Sequence, residues 1–251
     1  MGVTGAVEGS GLLAGRVAVV TGAGGGLGRV VREVFVREGA VVVGVDLAGD
    51  GCLHADLSTD DGNRRMIESV LEQHGQLDVL VLNAGLQHMA PIAGFAEEEW
   101  DRLTDVMLKG PFLAVKHAWP ELTRRPGGRI VFTASTTALV GEAFKAAYVA
   151  SKHGVAGLMK VAALEGARHG LNVNAVAPGW MWTGMAERQI DDQARFHGLT
   201  REQVLSAMDD HNPAGRMVEP VEVAEVIAFL ASDRASAVSG TVIPVDLASM
   251  A

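Results

Sequence analysis

A glycine-rich junction between an apolar strand and an amphipathic helix constrains this chain more than any other feature. Residues 16–21 read RVAVVT, a buried-strand pattern, and residues 28–38 set Val30, Val31, Val34 and Phe35 on one helical face. Between them runs Thr21-Gly22-Ala23-Gly24-Gly25-Gly26-Leu27-Gly28. Glycines here let the backbone turn tightly and approach a pyrophosphate, while the helix start offers free N–H groups and a positive dipole end. The spacing is Gly-x-x-x-Gly-x-Gly, at Gly22, Gly26 and Gly28, rather than Gly-x-Gly-x-x-Gly. A glycine turn can exist without a ligand, but one that opens a βαβ unit meets the structural condition for a dinucleotide site. Asp46 closes the next apolar run, 24 residues after Gly22. A carboxylate there can accept both ribose hydroxyls of NAD and repels the 2′-phosphate of NADP.

The same alternation continues to the end of the chain. Strand patterns are predicted at 40–45, 78–82, 129–133, 171–176 and 241–245, and helices at 97–118, 147–168 and 220–231. A further helix, capped by Ser58 and running to His74, buries Met66, Ile67, Val70 and Leu71. Strands alternating with amphipathic helices predict an α/β fold: one doubly wound, Rossmann-type domain with about seven parallel strands and helices on both faces. Residues 12–251 are assigned to this domain and residues 1–11 to a flexible leader. Residues 178–216 are too long for an ordinary connection and read as a substrate lid or a loose loop.

Composition removes several function classes. Among 251 residues, 30 acidic side chains against 21 basic ones give a net charge of −9, and no Lys/Arg cluster exists to hold nucleic acid or an anionic membrane. The apolar runs are strand-sized, too short for a membrane span. Cys52 is the only cysteine, so an internal disulfide is impossible and a reducing cytoplasm is the expected compartment. His54, His74, His88, His117, His153, His169, His197 and His211 are scattered without ligand spacing, and no metal is expected. Glu97-Glu98-Glu99 reads as a solvated first helical turn.

Chemistry concentrates around the only tyrosine. Tyr148 and Lys152 stand four residues apart in a predicted helix and so share a face. A free tyrosine titrates near pH ~10, too high for efficient acid–base work at neutral pH. A neighbouring ammonium and a cationic nicotinamide ring are expected to lower it. Ser135 ends the preceding strand and can hydrogen-bond a substrate oxygen.

Together these elements make residues 12–246 resemble the short-chain dehydrogenase/reductase family. The resemblance implies that Tyr148 transfers the proton, Lys152 binds the nicotinamide ribose, and Ser135 orients the carbonyl. It also implies that Asn83-Ala84-Gly85 supports the adenosine half of the cofactor and that Asp56-Leu57 meets the adenine. Pro178-Gly179-Trp180-Met181-Trp182-Thr183 is similar to the family's Pro-Gly-x-x-x-Thr segment; Pro178, Gly179, Met181 and Thr183 are thereby placed against the carboxamide, with Gly22, Gly26, Leu27 and Gly28 at the phosphates. Trp180 and Trp182 either wall the substrate pocket or pack the lid.

The segments at 83–87, 143–154, 187–190 and 198–204 resemble D-3-hydroxybutyrate dehydrogenases in particular. That likeness implies that Gln87, Lys145 and Gln189 grip a substrate carboxylate, a sensible set of one cation and two amides. Thr137 stands where that group has a histidine. Met107 stands where the family has an asparagine linked to a helix distortion and a proton relay. The ending from Val245 to Ala251 lacks the usual Asp-Gly-Gly. The expectation is an NAD-dependent oxidoreductase acting on a small secondary alcohol such as a 3-hydroxy acid, working as a homotetramer. The alternatives are a ketoreductase for a larger or neutral carbonyl compound and a weakly active cofactor-binding scaffold.

Overall fold

The structure, a computed structural model, describes residues 11–210 and 212–251. The proposed leader therefore lies outside the described residues except for Gly11. That glycine packs on the main chain of Glu38 so closely that a Cβ would stand 2.1 Å from its carbonyl oxygen. Leu12 then donates its N–H to the Glu38 carboxylate at 3.0 Å.

Seven strands form one sheet: β1 (Val17–Thr21), β2 (Val41–Asp46), β3 (Leu53–His54), β4 (Val79–Leu82), β5 (Arg129–Thr133), β6 (Asn172–Pro178) and β7 (Val242–Val245). Their order is β3-β2-β1-β4-β5-β6-β7, and every neighbouring pair is parallel. Ala18 pairs with Val42 on one side and Val79 on the other, so the strand order reverses at β1. In an open parallel sheet that reversal leaves a crevice beyond the carboxyl ends of the strands.

Among the described residues eight α-helices connect them: α1 (Gly26–Arg37), α2 (Asp60–His74), α3 (Glu97–Thr104), α4 (Gly110–Leu122), α5 (Ala146–Gly166), α6 (Gly184–His197), α7 (Arg201–Asp210) and α8 (Pro220–Ala231). Strand side chains alternate between two cores. Ala18 and Val20 of β1 pack with Val31 and Phe35 of α1 and Ile227 of α8. Val17 and Val19 face the opposite core with Met66 of α2, Ala118 of α4 and Met159 of α5. Both faces are thus covered, which explains the uninterrupted apolar strands.

Two local expectations change, and two open points are filled in. Thr59, not Ser58, caps α2, its hydroxyl accepting the Gly62 N–H at 3.0 Å; the Ser58 hydroxyl is instead committed to Asp56 at 2.7 Å. The helix expected over 97–118 is divided at Asp105–Lys109, where one wide turn bonds i to i+5. Pro111 has no N–H to return to the Met107 carbonyl, so the ordinary ladder cannot continue through this turn. Residues 178–216 are not a loose loop, since they contain α6 and α7, which pack Ile190, Val204 and Met208 together. Finally, β3 is a two-residue strand beside Val45 and Asp46, too short for any periodicity to announce. No helix among the described residues is long and apolar enough to cross a membrane.

Candidate active site

The strand ends and the segment that leads into α6 border a cleft of about 540 Å³. At one end lies the glycine turn. Gly22 and Gly26 have φ of 66° and 52°, conformations that side chains resist. Gly28 serves packing instead: a Cβ there would stand 2.1 Å from the Gly22 carbonyl oxygen, and the residue does not reach the cleft wall. Helix α1 follows Gly25 at its N-cap, has no side-chain cap and carries no acid in its first turn. By contrast, Thr59 and Thr183 cap α2 and α6. An uncapped, acid-free helix start facing a cleft is fitted to an anionic phosphate.

Asp46 extends this end of the cleft, accepting the Gly24 N–H at 2.9 Å and the Leu47 N–H at 2.7 Å. Asp56, Leu57, Ala84 and Gly85 continue the wall, and Asn83 braces the loop by donating to the Thr21 carbonyl at 3.0 Å. Pro178, Gly179, Met181 and Thr183 supply the opposite side. These residues fit a dinucleotide lying across the reversal of strand order.

Ser135, Tyr148 and Lys152 meet at the other end. Ser135 follows β5 and caps a short turn, its hydroxyl accepting the Thr137 N–H at 3.2 Å. Tyr148 lines the same end of the cleft as Ser135, whose hydroxyl favours its ionised form. One turn further along α5, Lys152 donates to the Thr133 carbonyl at 2.7 Å, with Nζ 5.5 Å from the Tyr148 ring centre. Burial pushes Tyr148 up to about 12, outweighing the lowering effect of Ser135, and pushes Lys152 down to about 8. Desolvation disfavours phenolate and ammonium alike, so the protein's own groups hold both side chains toward their neutral forms.

The polar set beyond the tyrosine is also assembled. Gln87 donates to Gln189 at 3.4 Å, and both line the cleft with Lys145 and Thr137. The buried Thr137 hydroxyl has no hydrogen-bond partner. Phe144 adopts φ of 68°, unusual for a bulky residue, and turns the chain so that Lys145 enters the protein. It is held by stacking on Phe196 of α6, with ring centres 4.9 Å apart, and by accepting the Ala90 N–H at 2.9 Å. Trp180 both lines the cleft and packs against the lid cluster, whereas Trp182 is exposed and outside the cleft wall.

The pattern of residues missed Glu142, which lines the cleft and pairs with Lys145 at 2.6 Å. An acid three residues before a lysine in a loop is an ordinary surface pattern. Only the inward turn at Phe144 gives it meaning.

The family described as Enoyl-(Acyl carrier protein) reductase matches residues 22–247. The chain is 38% identical to the uncharacterized oxidoreductase YxjF of Bacillus subtilis (strain 168), over 92% of this chain and 96% of that protein. It is 35% identical to the D-beta-hydroxybutyrate dehydrogenase of Rhizobium meliloti (strain 1021), over 92% and 97%. The crystal structure of levodione reductase superposes with a TM-score of 0.90 at 31% identity, covering 95% of this chain and 99% of that one. With the sheet order, the glycine turn and the Ser–Tyr–Lys cluster, these matches show that the chain belongs to the short-chain dehydrogenase/reductase family and is an oxidoreductase of that class.

Proposed function

We propose that the protein is an NAD-dependent dehydrogenase that interconverts a small secondary alcohol, a 3-hydroxy acid such as 3-hydroxybutyrate, with its ketone. The observation that carries this reading is the gathering of Gln87, Lys145 and Gln189 in the same cleft as Ser135 and Tyr148. The nicotinamide, when bound, supplies the hydride acceptor for oxidation and the donor for reduction. Ser135 and Tyr148 hold the substrate oxygen between two hydroxyls. In reduction Tyr148 gives its proton to that oxygen, for which its protonated resting state is suited. Lys152, fixed by the Thr133 carbonyl, is positioned for the ribose. Asp46 supports NAD over NADP by repelling a 2′-phosphate. The cations lining the cleft are Lys145 and Lys152 on the α5 side and Arg188 on the lid.

D-3-hydroxybutyrate and 2-butanol differ chiefly in the carboxylate, so their kcat/KM ratio tests the anchor. A charge-assisted contact contributes about 1.5–3 kcal/mol, so the acid should lead roughly tenfold or more. Lys145→Ala should erase most of that lead, chiefly through KM. If 2-butanol is the better substrate, or Lys145→Ala leaves the ratio unchanged, the hydroxy-acid assignment fails. A ketoreductase for larger or neutral carbonyl compounds then replaces it, a reading favoured by the Glu142 carboxylate already paired with Lys145. NAD(H) binding without turnover on any carbonyl or alcohol supports the scaffold reading. Exposed Phe112, Val161 and Leu164 on α4 and α5 support assembly into a homo-oligomer, and the lone Cys52 suits a reducing cytoplasm.

A further inference from the structure

The Lys145 ammonium is buried and already partnered. Glu142 Oε1 lies 2.6 Å from its Nζ, and the face of Trp180 lies 4.6 Å away. The same Glu142 oxygen accepts from the Gln193 amide of α6 at 3.3 Å, so the lid helps hold it in place. The two partners are unequal: the lysine side chain is 4% exposed, the glutamate side chain 30%. Lysine is therefore the fixed member, and the glutamate is the one that solvent can draw away.

We propose that Glu142 is a specificity-determining residue: a built-in counter-ion that a substrate carboxylate must displace from Lys145. The proposal rests on the reading that Lys145 is the carboxylate subsite. A second carboxylate brought to that ammonium sets two like charges side by side in a partly desolvated pocket, a costly arrangement. A neutral polar group meets no such opposition. Glu142 thus weakens small monocarboxylates at the anchor while leaving Gln87 and Gln189 free to bond neutral oxygens. Arg188 also lines the cleft, but it is exposed and water screens its charge, so it does not replace the buried ammonium.

Acetate is a probe small enough to report on the anchor alone. The NAD complexes of the wild type, Glu142→Gln, Glu142→Ala and the double variant Glu142→Gln/Lys145→Ala are titrated with acetate, following tryptophan fluorescence because Trp180 covers Nζ. Both single variants should bind acetate about tenfold more tightly than the wild type, consistent with a charge-assisted contact. The double variant should lose that gain. Unchanged or weaker acetate binding in both single variants overturns the proposal, and so does a gain that survives in the double variant. In turnover, the preference for D-3-hydroxybutyrate over 2-butanol should rise by a similar factor in Glu142→Gln, appearing in KM. If acetate binding tightens but neither wild type nor variant oxidises hydroxybutyrate, the counter-ion role stands and the hydroxy-acid reading falls. If the wild type prefers hydroxybutyrate and Glu142→Gln does not increase that preference, the counter-ion role falls alone.

Discussion

The thioether of Met107 accepts the main-chain N–H of Leu86 at 3.4 Å, joining the wide turn before α4 to the loop after β4. The distortion that the family resemblance associates with an asparagine is thus present with a methionine at its centre. Sulfur is a weak acceptor and donates nothing, so it can hold the turn but cannot pass a proton. Met107→Asn supplies a stronger acceptor for Leu86 and a donor beside it. Its kcat should rise, together with a smaller solvent deuterium isotope effect. An unchanged kcat with an unchanged isotope effect means that the relay is bypassed or that another step limits the rate.

Tyr148 is the only tyrosine in the chain, so phenolate absorbance in the near ultraviolet reports on it alone. Burial holds it up to about 12. The ligand-free protein should therefore show almost no phenolate at pH ~10, where a free tyrosine is half ionised. Saturating NAD, with its cationic ring, should bring the ionisation down, whereas NADH should do so less. Tyr148→Phe removes the signal and should cost on the order of 10²- to 10⁴-fold in turnover with NADH affinity retained.

Asp46 is the residue proposed to set cofactor preference. Both its oxygens are bonded to the turn, at Gly24 and Leu47, so the carboxylate is fixed rather than free to swing aside. The ratio of kcat/KM for NAD to that for NADP should exceed one in the wild type and narrow in Asp46→Ala. Equal or better use of NADP by the wild type refutes this assignment.

Lys152 should leave a mark on stability. Its pKa in the fold, about 8, lies below the ordinary 10.5 because of burial. Between those values the unfolded chain binds more protons than the folded one, so this residue makes stability rise with pH across that window. Lys152→Met lacks the effect. Urea unfolding at pH 8 and pH 10.5 should show the stability difference moving in the wild type's favour by up to about 3 kcal/mol as pH rises. A difference that stays constant across the window shows that burial does not depress this lysine.

What the amino-acid pattern disclosed, and what it withheld, follows from the range of the interactions involved. The turn at Gly22–Gly28 and the pairing of Tyr148 with Lys152 are set within a single helix or junction, so neighbouring residues suffice to reveal them. The strand alternation is equally local. The Thr59 cap was obscured because Ser58 is chemically equivalent until Asp56 claims its hydroxyl. The break at Asp105–Lys109 does not interrupt the apolar pattern, since Met107 remains buried. Glu142 was illegible because its partner reaches it only through the left-handed backbone of Phe144, which depends on Phe196 some fifty residues later.

The groups proposed for catalysis and those proposed for selection are mounted differently. Ser135 and Lys152 are tied to β5, which packs into both cores, and to the body of α5, which packs into one. Glu142, Trp180, Gln189 and Gln193 come from a connecting loop and from the α6 segment that rests on the sheet ends. Mutational drift in the second group changes what is admitted without moving the atoms that exchange a proton. An ancestral gene with this layout can change its diet by exchanging a few loop residues, and a protein engineer can graft another member's loop and lid onto an unaltered reaction centre.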